Sequence, residues 1–277
     1  MFLRKLLLTC ITCLILVAPA TAHDLFLRLE TYFLKPHSKV TVRLMNGTFQ
    51  QSDGAVARER LRDLTVVTPN TRSFSESHFA WRAEGKTTII EFETGTAGTY
   101  LMGTSTRPRE IELKAADFND YLKHDGIPDT LAARKRDGQL GKDVRERYSK
   151  HVRAIFQVGD ILSEDYKKSL HYPVDLIPQQ NPYSLRAGQT ISVLCLLEGK
   201  PIANQFVMAG WESRNGKLHT LSTRADKNGI ARVRLRGAGK WFIKFIHMTP
   251  LSEPNLNYES KWASLTFEIS NLNASKV

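Results

Sequence analysis

The feature that most constrains the fold is a series of short β-prone segments separated by turn-forming residues. In the first part of the chain, β-branched and aromatic residues alternate in part with polar ones over stretches of four to six residues. These stretches are 25–29, 40–44, 64–67, 87–92 and 100–103. Asn, Asp, Gly and Pro residues lie between them and favour turns. This spacing predicts an antiparallel β-sandwich over residues 23–114.

A second strand-rich region follows near the C-terminus. Its predicted strands are 190–197, 205–211, 218–223, 230–235, 241–247 and 262–269. The phrase Gly199-Lys200-Pro201-Ile202, followed by Ala225-Asp226 and Gly229, resembles the prealbumin-like sandwich, in which the second phrase is a hairpin turn. We therefore predict a second β-sandwich, Ig-like or prealbumin-like, over residues 166–277.

Helical periodicity appears between the two strand-rich regions. Residues 115–122 precede Gly126, a suitable helix stop, and residues 128–134 open on a proline, which favours a helix start. Residues 142–158 form the longest predicted helix, because Val144, Tyr148, Val152 and Phe156 fall on one helical stripe. The prediction is thus a mainly β protein with a helical insert, residues 115–165, between its two sandwiches.

The first 22 residues have the pattern of a secretory signal peptide. Two basic residues precede the apolar run 6–17, and Ala20-Thr21-Ala22 supplies the small residues of a cleavage site. Cleavage after Ala22 leaves His23 as the first residue. The processed chain then contains a single cysteine, Cys195, so no intrachain disulfide is expected, which favours a bacterial periplasm. No other segment reaches the roughly 18 apolar residues needed to cross a bilayer.

The charge and the motifs narrow the classes of function. The formal net charge is +11, but nucleic acid is not an expected partner of an exported protein. The sequence contains no nucleophile elbow, zincin motif, P-loop or dinucleotide fingerprint. We therefore do not expect the protein to be an enzyme.

Two histidines are candidate metal ligands. An N-terminal His23 would offer an α-amine and an imidazole, two nitrogen donors that can chelate one transition metal. The alternative is that His23 simply marks where the leader ends. His247 ends the strand 241–247, where a rigid element can hold a ligand, and Glu259 lies in the stretch that follows. The remaining histidines are expected to be surface or hydrogen-bonded side chains.

Several stretches together resemble one bacterial family. They are His23-Asp24-Leu25-Phe26-Leu27, residues 118–122, 147–150, 181–183 and 244–248, and the closing run 258–268. The family has a domain of unknown function, and its members are often labelled periplasmic components of nickel or cobalt uptake systems. The resemblance implies a periplasmic location, two sandwiches, an initial His-Asp and a histidine at the position of His247. This chain departs from it at Phe26, where tryptophan is common.

The leading hypothesis is a periplasmic protein that binds a divalent transition metal, Ni, Co, Cu or Zn, for uptake or delivery. The expected ligands are His23, His247, Glu259 and Asp24, and the expected partner is an inner-membrane metal transporter. Two alternatives stay open. One is a copper monooxygenase-type enzyme that uses the N-terminal histidine, and the other is a metal-free structural or carbohydrate-binding sandwich.

Overall fold

The computed structural model of the protein describes residues 23–69, 73–74 and 78–270. The predicted leader lies outside the described residues, so its role as a signal peptide stays a prediction. The described residues form eighteen strands and two α-helices. The strands are β1 (Asp24–Leu29), β2 (Phe33–Leu34), β3 (Lys39–Gly47), β4 (Thr65–Val67), β5 (Ser73–Phe74), β6 (Ala80–Glu84), β7 (Thr87–Glu93), β8 (Gly98–Ser105), β9 (Arg109–Leu113), β10 (Val144–Val158), β11 (Val174–Pro178), β12 (Thr190–Leu197), β13 (Lys200–Pro201), β14 (Phe206–Glu212), β15 (Leu218–Arg224), β16 (Ile230–Arg234), β17 (Gly239–Glu253) and β18 (Leu256–Ile269). The helices are α1 (Ala115–His124) and α2 (Pro128–Arg136).

The strands are arranged in three sheets. One has the order β1-β3-β7-β6, and another has the order β11-β12-β13 with β16 beside β12. A long sheet runs β15-β14-β17-β18-β10-β8-β4-β5, and β2 and β9 also pair with β10. Each small sheet packs on one half of the long sheet, because alternate side chains of each strand point into the space between the two layers.

Two apolar cores fill these layers. Leu27, Val42 and Ile90 of the first small sheet pack against Tyr100 and Phe156 of the long sheet. Across the other half, one core joins β11, β12 and β16 to β14, β17 and β18, and Trp241 is fully buried within it. The predicted fold class, a mainly β protein with sandwiches and helices in the middle of the chain, is confirmed.

Strand β10 connects the two halves. It pairs antiparallel with β8 of the first half, and it pairs parallel with β18 of the second half from Glu146↔Tyr258 to Ala154↔Thr266. A single long sheet therefore runs through both predicted sandwiches.

The longest predicted helix, residues 142–158, is wrong: this stretch is β10. Val144, Tyr148, Val152 and Phe156 are four residues apart, a spacing that fits one face of a helix and also one face of a strand. Residues 149–158 are buried without interruption, as expected of a strand covered on both faces. Because this stretch is covered on both faces, it forms a strand even though its apolar spacing also fits a helix.

The two other predicted helices are confirmed as α1 and α2, and they occupy only the first part of the predicted insert 115–165. Helix α1 buries Phe118, Tyr121 and Leu122 against Ile246 and Trp262 of the long sheet. No helix in the described ranges is long and apolar enough to cross a membrane.

Candidate functional site

Strand β1 is held across the face of the long sheet and fixes the position of His23. Two hydroxyls of β18 donate hydrogen bonds to carbonyls of β1: Ser264 Oγ to Leu25 O at 2.7 Å, and Thr266 Oγ1 to Leu27 O at 2.5 Å. Because these hydroxyls are buried, the bonds are shielded from competing water. The first residue of the predicted mature chain is therefore attached to an anchored strand.

His23 lies beside a carboxylate that follows β3. The distance from His23 Nδ1 to Asp53 Oδ2 is 3.1 Å, and the two side chains are 35% and 36% exposed. The amide of Asp53 donates to Asn46 O at 2.9 Å, which folds the loop back on β3. A Cβ on Gly47 would lie 2.5 Å from Gln51 O and 2.7 Å from Asp53 Oδ2, so only glycine permits this approach.

A buried lysine contacts the backbone of His23. The Nζ atom of Lys150, on β10, donates a hydrogen bond to His23 O. This Nζ lies 5.0 Å from the centre of the Trp262 ring and 5.6 Å from that of Tyr148. Burial, together with the charges of Arg60 and Lys244, lowers the pKa of Lys150 to about 8, although Asp24 and Asp125 oppose the shift.

Asp24, the next residue, takes part in a buried cluster of charges. Lys244 Nζ lies 2.5 Å from Asp24 Oδ2 and 3.0 Å from Asp125 Oδ1, and the lysine side chain is only 6% exposed. Burial lowers the pKa of Lys244, but the two carboxylates outweigh burial, so the pKa is raised. Asp125 directly follows α1, and burial raises its pKa. The cluster therefore ties α1 and β1 to β17.

A buried carboxylic acid lies on the same face of the sheet. Glu146 accepts hydrogen bonds from Ser260 Oγ and, at 3.2 Å, from Tyr121 Oη. The ring of Tyr121 stacks on Trp262, whose Nε1 donates to Ser260 Oγ at 2.9 Å. Burial raises the pKa of Glu146 from 4.5 to about 7, although the two hydroxyl donors lower it.

The raised pKa of Glu146 predicts a pH-dependent stability. Between about pH 4.5 and 7 the folded chain binds this proton and the unfolded chain does not, so stability from Glu146 is present at low pH and lost as pH rises. We expect Glu146→Gln to remove this loss. The difference in unfolding free energy between the variant and the wild type should therefore change by about 3 kcal/mol, in favour of the variant, as the pH rises from about 4 to about 8.

Urea denaturation at several pH values measures this difference. Glu112→Gln is the control, because Glu112 is an exposed carboxylate on β9, beside β10. Its stability should follow that of the wild type across the range. A Glu146→Gln curve that runs parallel to the wild-type curve would contradict the assignment.

His247 and Glu259 lie on the other face of the long sheet. Lys244 contacts Asp24 on one face of the sheet. Successive side chains of a strand point to opposite faces, and His247 is an odd number of residues beyond Lys244 in the regular part of β17. The side chain of His247 therefore points to the opposite face. His247 Nδ1 lies 3.1 Å from Gln205 Oε1, and its partner across the ladder is Lys261. The Nζ atom of Lys261 is 3.2 Å from Glu259 Oε2. Burial, and then the charge of Lys261, lowers the pKa of His247.

The four predicted ligands are thus divided between two faces of one sheet. Asp24 pairs with Lys244 on the β1 side, where His23 meets Asp53, and His247 and Glu259 lie near Lys261 on the other side. Within residues 23–69, 73–74 and 78–270, no group of three His, Cys, Asp or Glu side chains is placed to hold a metal. Such a group consists of side chains only. The α-amine that cleavage would expose on His23 is a backbone donor and would add to them.

The structure also identifies residues that the sequence did not single out. Asp53 belongs to an Asp-Gly pair that predicts a turn, and Lys244 lies within a predicted strand. Lys150 lies in the stretch that was predicted as a helix and is strand β10. A lysine within a buried apolar strand is itself a signal, because such a charge requires a partner. The sequence does not identify that partner.

Comparisons with solved structures show distant likeness only. The D0-D1 domain of intimin has 12% identity and a TM-score of 0.21, with 89% of this chain and 98% of that chain covered. A tetra-tandem repeat from the extending region of a large adhesion protein has 8% identity and a TM-score of 0.23, with 90% and 50% covered. The I-band fragment I67-I69 from titin has 12% identity and a TM-score of 0.21, with 89% and 66% covered. At these TM-scores the likeness supports no argument about function.

The comparison with protein families is more informative. No curated protein matches the chain. A family described as "Domain of unknown function (DUF4198)" matches residues 20–249, which include β1, both helices and most of β17. The match extends over well more than half of the sequence, and the chain therefore belongs to the DUF4198 family.

Proposed function

We propose that the protein binds a divalent transition metal as cargo in the periplasm, at the N-terminal residue of the processed chain. The observation that carries the proposal is the 3.1 Å separation of His23 Nδ1 and Asp53 Oδ2. Two donors on one metal, each with a bond of roughly 2.0–2.2 Å, lie about 3–4 Å apart, so this pair is spaced as ligands of one ion.

Processing after Ala22 would complete the donor set. The new α-amine and Nδ1 of His23 can close a six-membered ring with a metal, and Asp53 adds a carboxylate oxygen. The hydrogen bond from Lys150 to His23 O holds the backbone of this residue in place. A chelate on a held backbone loses little conformational freedom on binding, which favours affinity.

Asp53 is the carboxylate that fits this role best. Asp24 is neutralised by Lys244, and a metal would have to compete with that buried ammonium group. Glu259 is paired with Lys261 on the opposite face of the sheet. The structure gives Asp53 no ion pair with Lys or Arg among the described residues, so its carboxylate can serve a metal at the least cost.

Two nitrogen donors and one oxygen suit the late first-row ions. Cu²⁺ should bind most tightly, and Ni²⁺, Co²⁺ and Zn²⁺ should follow according to geometry and supply. Because the amine and imidazole bind only without their protons, affinity should fall as the pH decreases below about 7.

Delivery rather than catalysis is the proposed role. About a third of the surface of each side chain, His23 and Asp53, is exposed, so a bound ion could be loaded from solvent and passed to an inner-membrane transporter. The half-open site has the accessibility that transfer of cargo requires.

Replacing Asp53 tests the donor set. We expect the processed Asp53→Ala variant to bind Ni²⁺ at least about tenfold more weakly than the processed wild type, because a ligand oxygen is lost. Calorimetric titration with Ni²⁺, and separately with Zn²⁺, measures both affinities. Thermal unfolding of the metal-free proteins separates loss of ligation from loss of fold.

Asp129→Ala is the matched control. Asp129 is an exposed carboxylate on α2 that is already paired with Arg224, so its removal should leave the metal affinity unchanged. Wild-type affinity in Asp53→Ala would exclude Asp53 as a ligand. A processed wild-type protein that takes up none of the four metals would refute the proposed function.

A further inference from the structure

A small basic cleft lies beside the start of β1. Its volume is about 200 Å³, and its lining includes Arg60, Arg109 and Lys150. Asn46, Thr106 and Tyr148 add an amide and two hydroxyls, and none of the lining residues is acidic. The cleft thus collects three cationic groups and several neutral donors without a carboxylate.

Arg60 has donor capacity that the protein does not use. Its Nη1 atom is shielded from solvent and has no hydrogen-bond partner among the described residues. Its guanidinium lies over the ring of Tyr148, 5.6 Å from the ring centre. Burial lowers the pKa of Arg60, and the charge of Arg109 lowers it further. Tyr148 acts in the opposite direction and raises this pKa. The guanidinium thus carries a charge that no protein carboxylate of the lining offsets, and an anion in the cleft would be stabilised by that charge.

Lys150 supports the same conclusion. Its side chain is nearly fully buried, and its Nζ donates to the neutral carbonyl of His23. Within the described part of the chain, none of the three cations of the cleft has a carboxylate within ion-pair distance, and Asp24 and Asp125 act on Lys150 only from farther away. Buried charges in proteins are ordinarily paired, because unpaired ones cost several kcal/mol. An anion in the cleft would supply Lys150, the buried member of the three, with a close negative charge.

We propose that this cleft binds a small oxyanion, a carboxylate or a phosphate, between Arg60, Arg109 and Lys150. Guanidinium groups donate paired N–H bonds to the oxygens of both classes, and the lysine adds a point charge. The cleft is smaller than the roughly 300–1,000 Å³ pockets of drug-sized ligands, which favours an anion of a few heavy atoms. The anion site does not depend on metal binding by His23.

The probes are inorganic phosphate and succinate, titrated separately into the full processed chain in a dilute chloride buffer. We expect at least one of them to bind at millimolar concentration or below. Arg109→Gln and Arg60→Gln should each weaken binding by about tenfold or more, because each removes a charge-assisted donor. Binding should also weaken as salt is added.

Arg107→Gln is the matched control, because Arg107 is exposed and close in sequence but does not line the cleft. It should bind like the wild type. Arg109 is itself exposed, so Arg109→Gln should keep its fold even if Arg60→Gln does not, and circular dichroism checks both. No binding of either probe would overturn the proposal, as would wild-type affinity in Arg109→Gln.

Discussion

Lys244→Met should lower the free energy of unfolding by about 3–5 kcal/mol, the typical cost of removing one partner from a buried ion pair. The wild-type ammonium group serves two carboxylates, Asp24 at 2.5 Å and Asp125 at 3.0 Å. Both carboxylates are at least four-fifths buried and would be left facing each other without their cation. Methionine keeps much of the volume, so the loss reports charge rather than a cavity.

Equilibrium unfolding in urea measures the loss, and Lys240→Met is the control. Lys240 is on the same strand and face, but its nearest carboxylate, Glu30, is 4.0 Å away and 80% exposed. A pair of this kind contributes about 1 kcal/mol or less. If Lys244→Met and Lys240→Met lose the same stability, Lys244 is not the centre of a buried charge cluster.

A triple variant separates lost pairing from lost packing. Asp24→Asn and Asp125→Asn combined with Lys244→Met remove all three charges, and we expect much of the lost stability to return. The reason is that a neutral amide left in place of a buried carboxylate costs far less than the charge. A triple variant no more stable than Lys244→Met would show that packing, not charge, accounts for the loss.

Local patterns predicted two of the helices and most of the longer strands, but not the short strands β2, β5, β6, β9, β11 and β13. Residues 190–197 were predicted as a strand and are β12, and the predicted helices at 115–122 and 128–134 are α1 and α2. In these stretches the local periodicity and the burial agree. Residues 142–158 are the exception, because a four-residue apolar spacing fits both periods and only the neighbours β8, β9 and β18 decide between them.

The joining of the two halves was not predictable from composition. The parallel pairing of β10 with β18 brings together residues more than a hundred positions apart. No local turn or periodicity encodes such a pairing. For the same reason the sequence suggested a helical bridge between two sandwiches, where the structure has a continuous sheet.

The candidate site was predictable only in part. The cleavage pattern identifies His23 from the sequence. Its partner Asp53 is identified only by the structure, in which the loop after β3 returns to the start of β1. Whether His247 lies on the same side of the long sheet as the N-terminus depends on which face of the sheet β1 covers. That packing is set by tertiary contacts such as the one between Leu25 and Ser264. Alternation places His247 and Lys244 on opposite faces, but it does not say which face meets the N-terminus.

The position of the α-amine is the central point of the proposed function. In the processed chain the amine and imidazole of His23 belong to one chelate, whereas a flexible segment added before His23 converts that amine into a peptide amide and moves the new α-amine away from the imidazole. Loss of a direct ligand should cost at least as much as loss of an outer-shell partner, which typically weakens metal binding by 10–100-fold. The same protein extended before His23 by a Gly-Ser segment of about ten residues keeps every other contact.

The most direct test is calorimetric titration of Ni²⁺ into the chain that begins at His23 and into the chain extended by a Gly-Ser segment of about ten residues. We predict one ion bound per processed chain and an affinity lower by about a hundredfold or more in the extended chain. Equal affinities for the two chains would contradict a metal site built on the N-terminal residue.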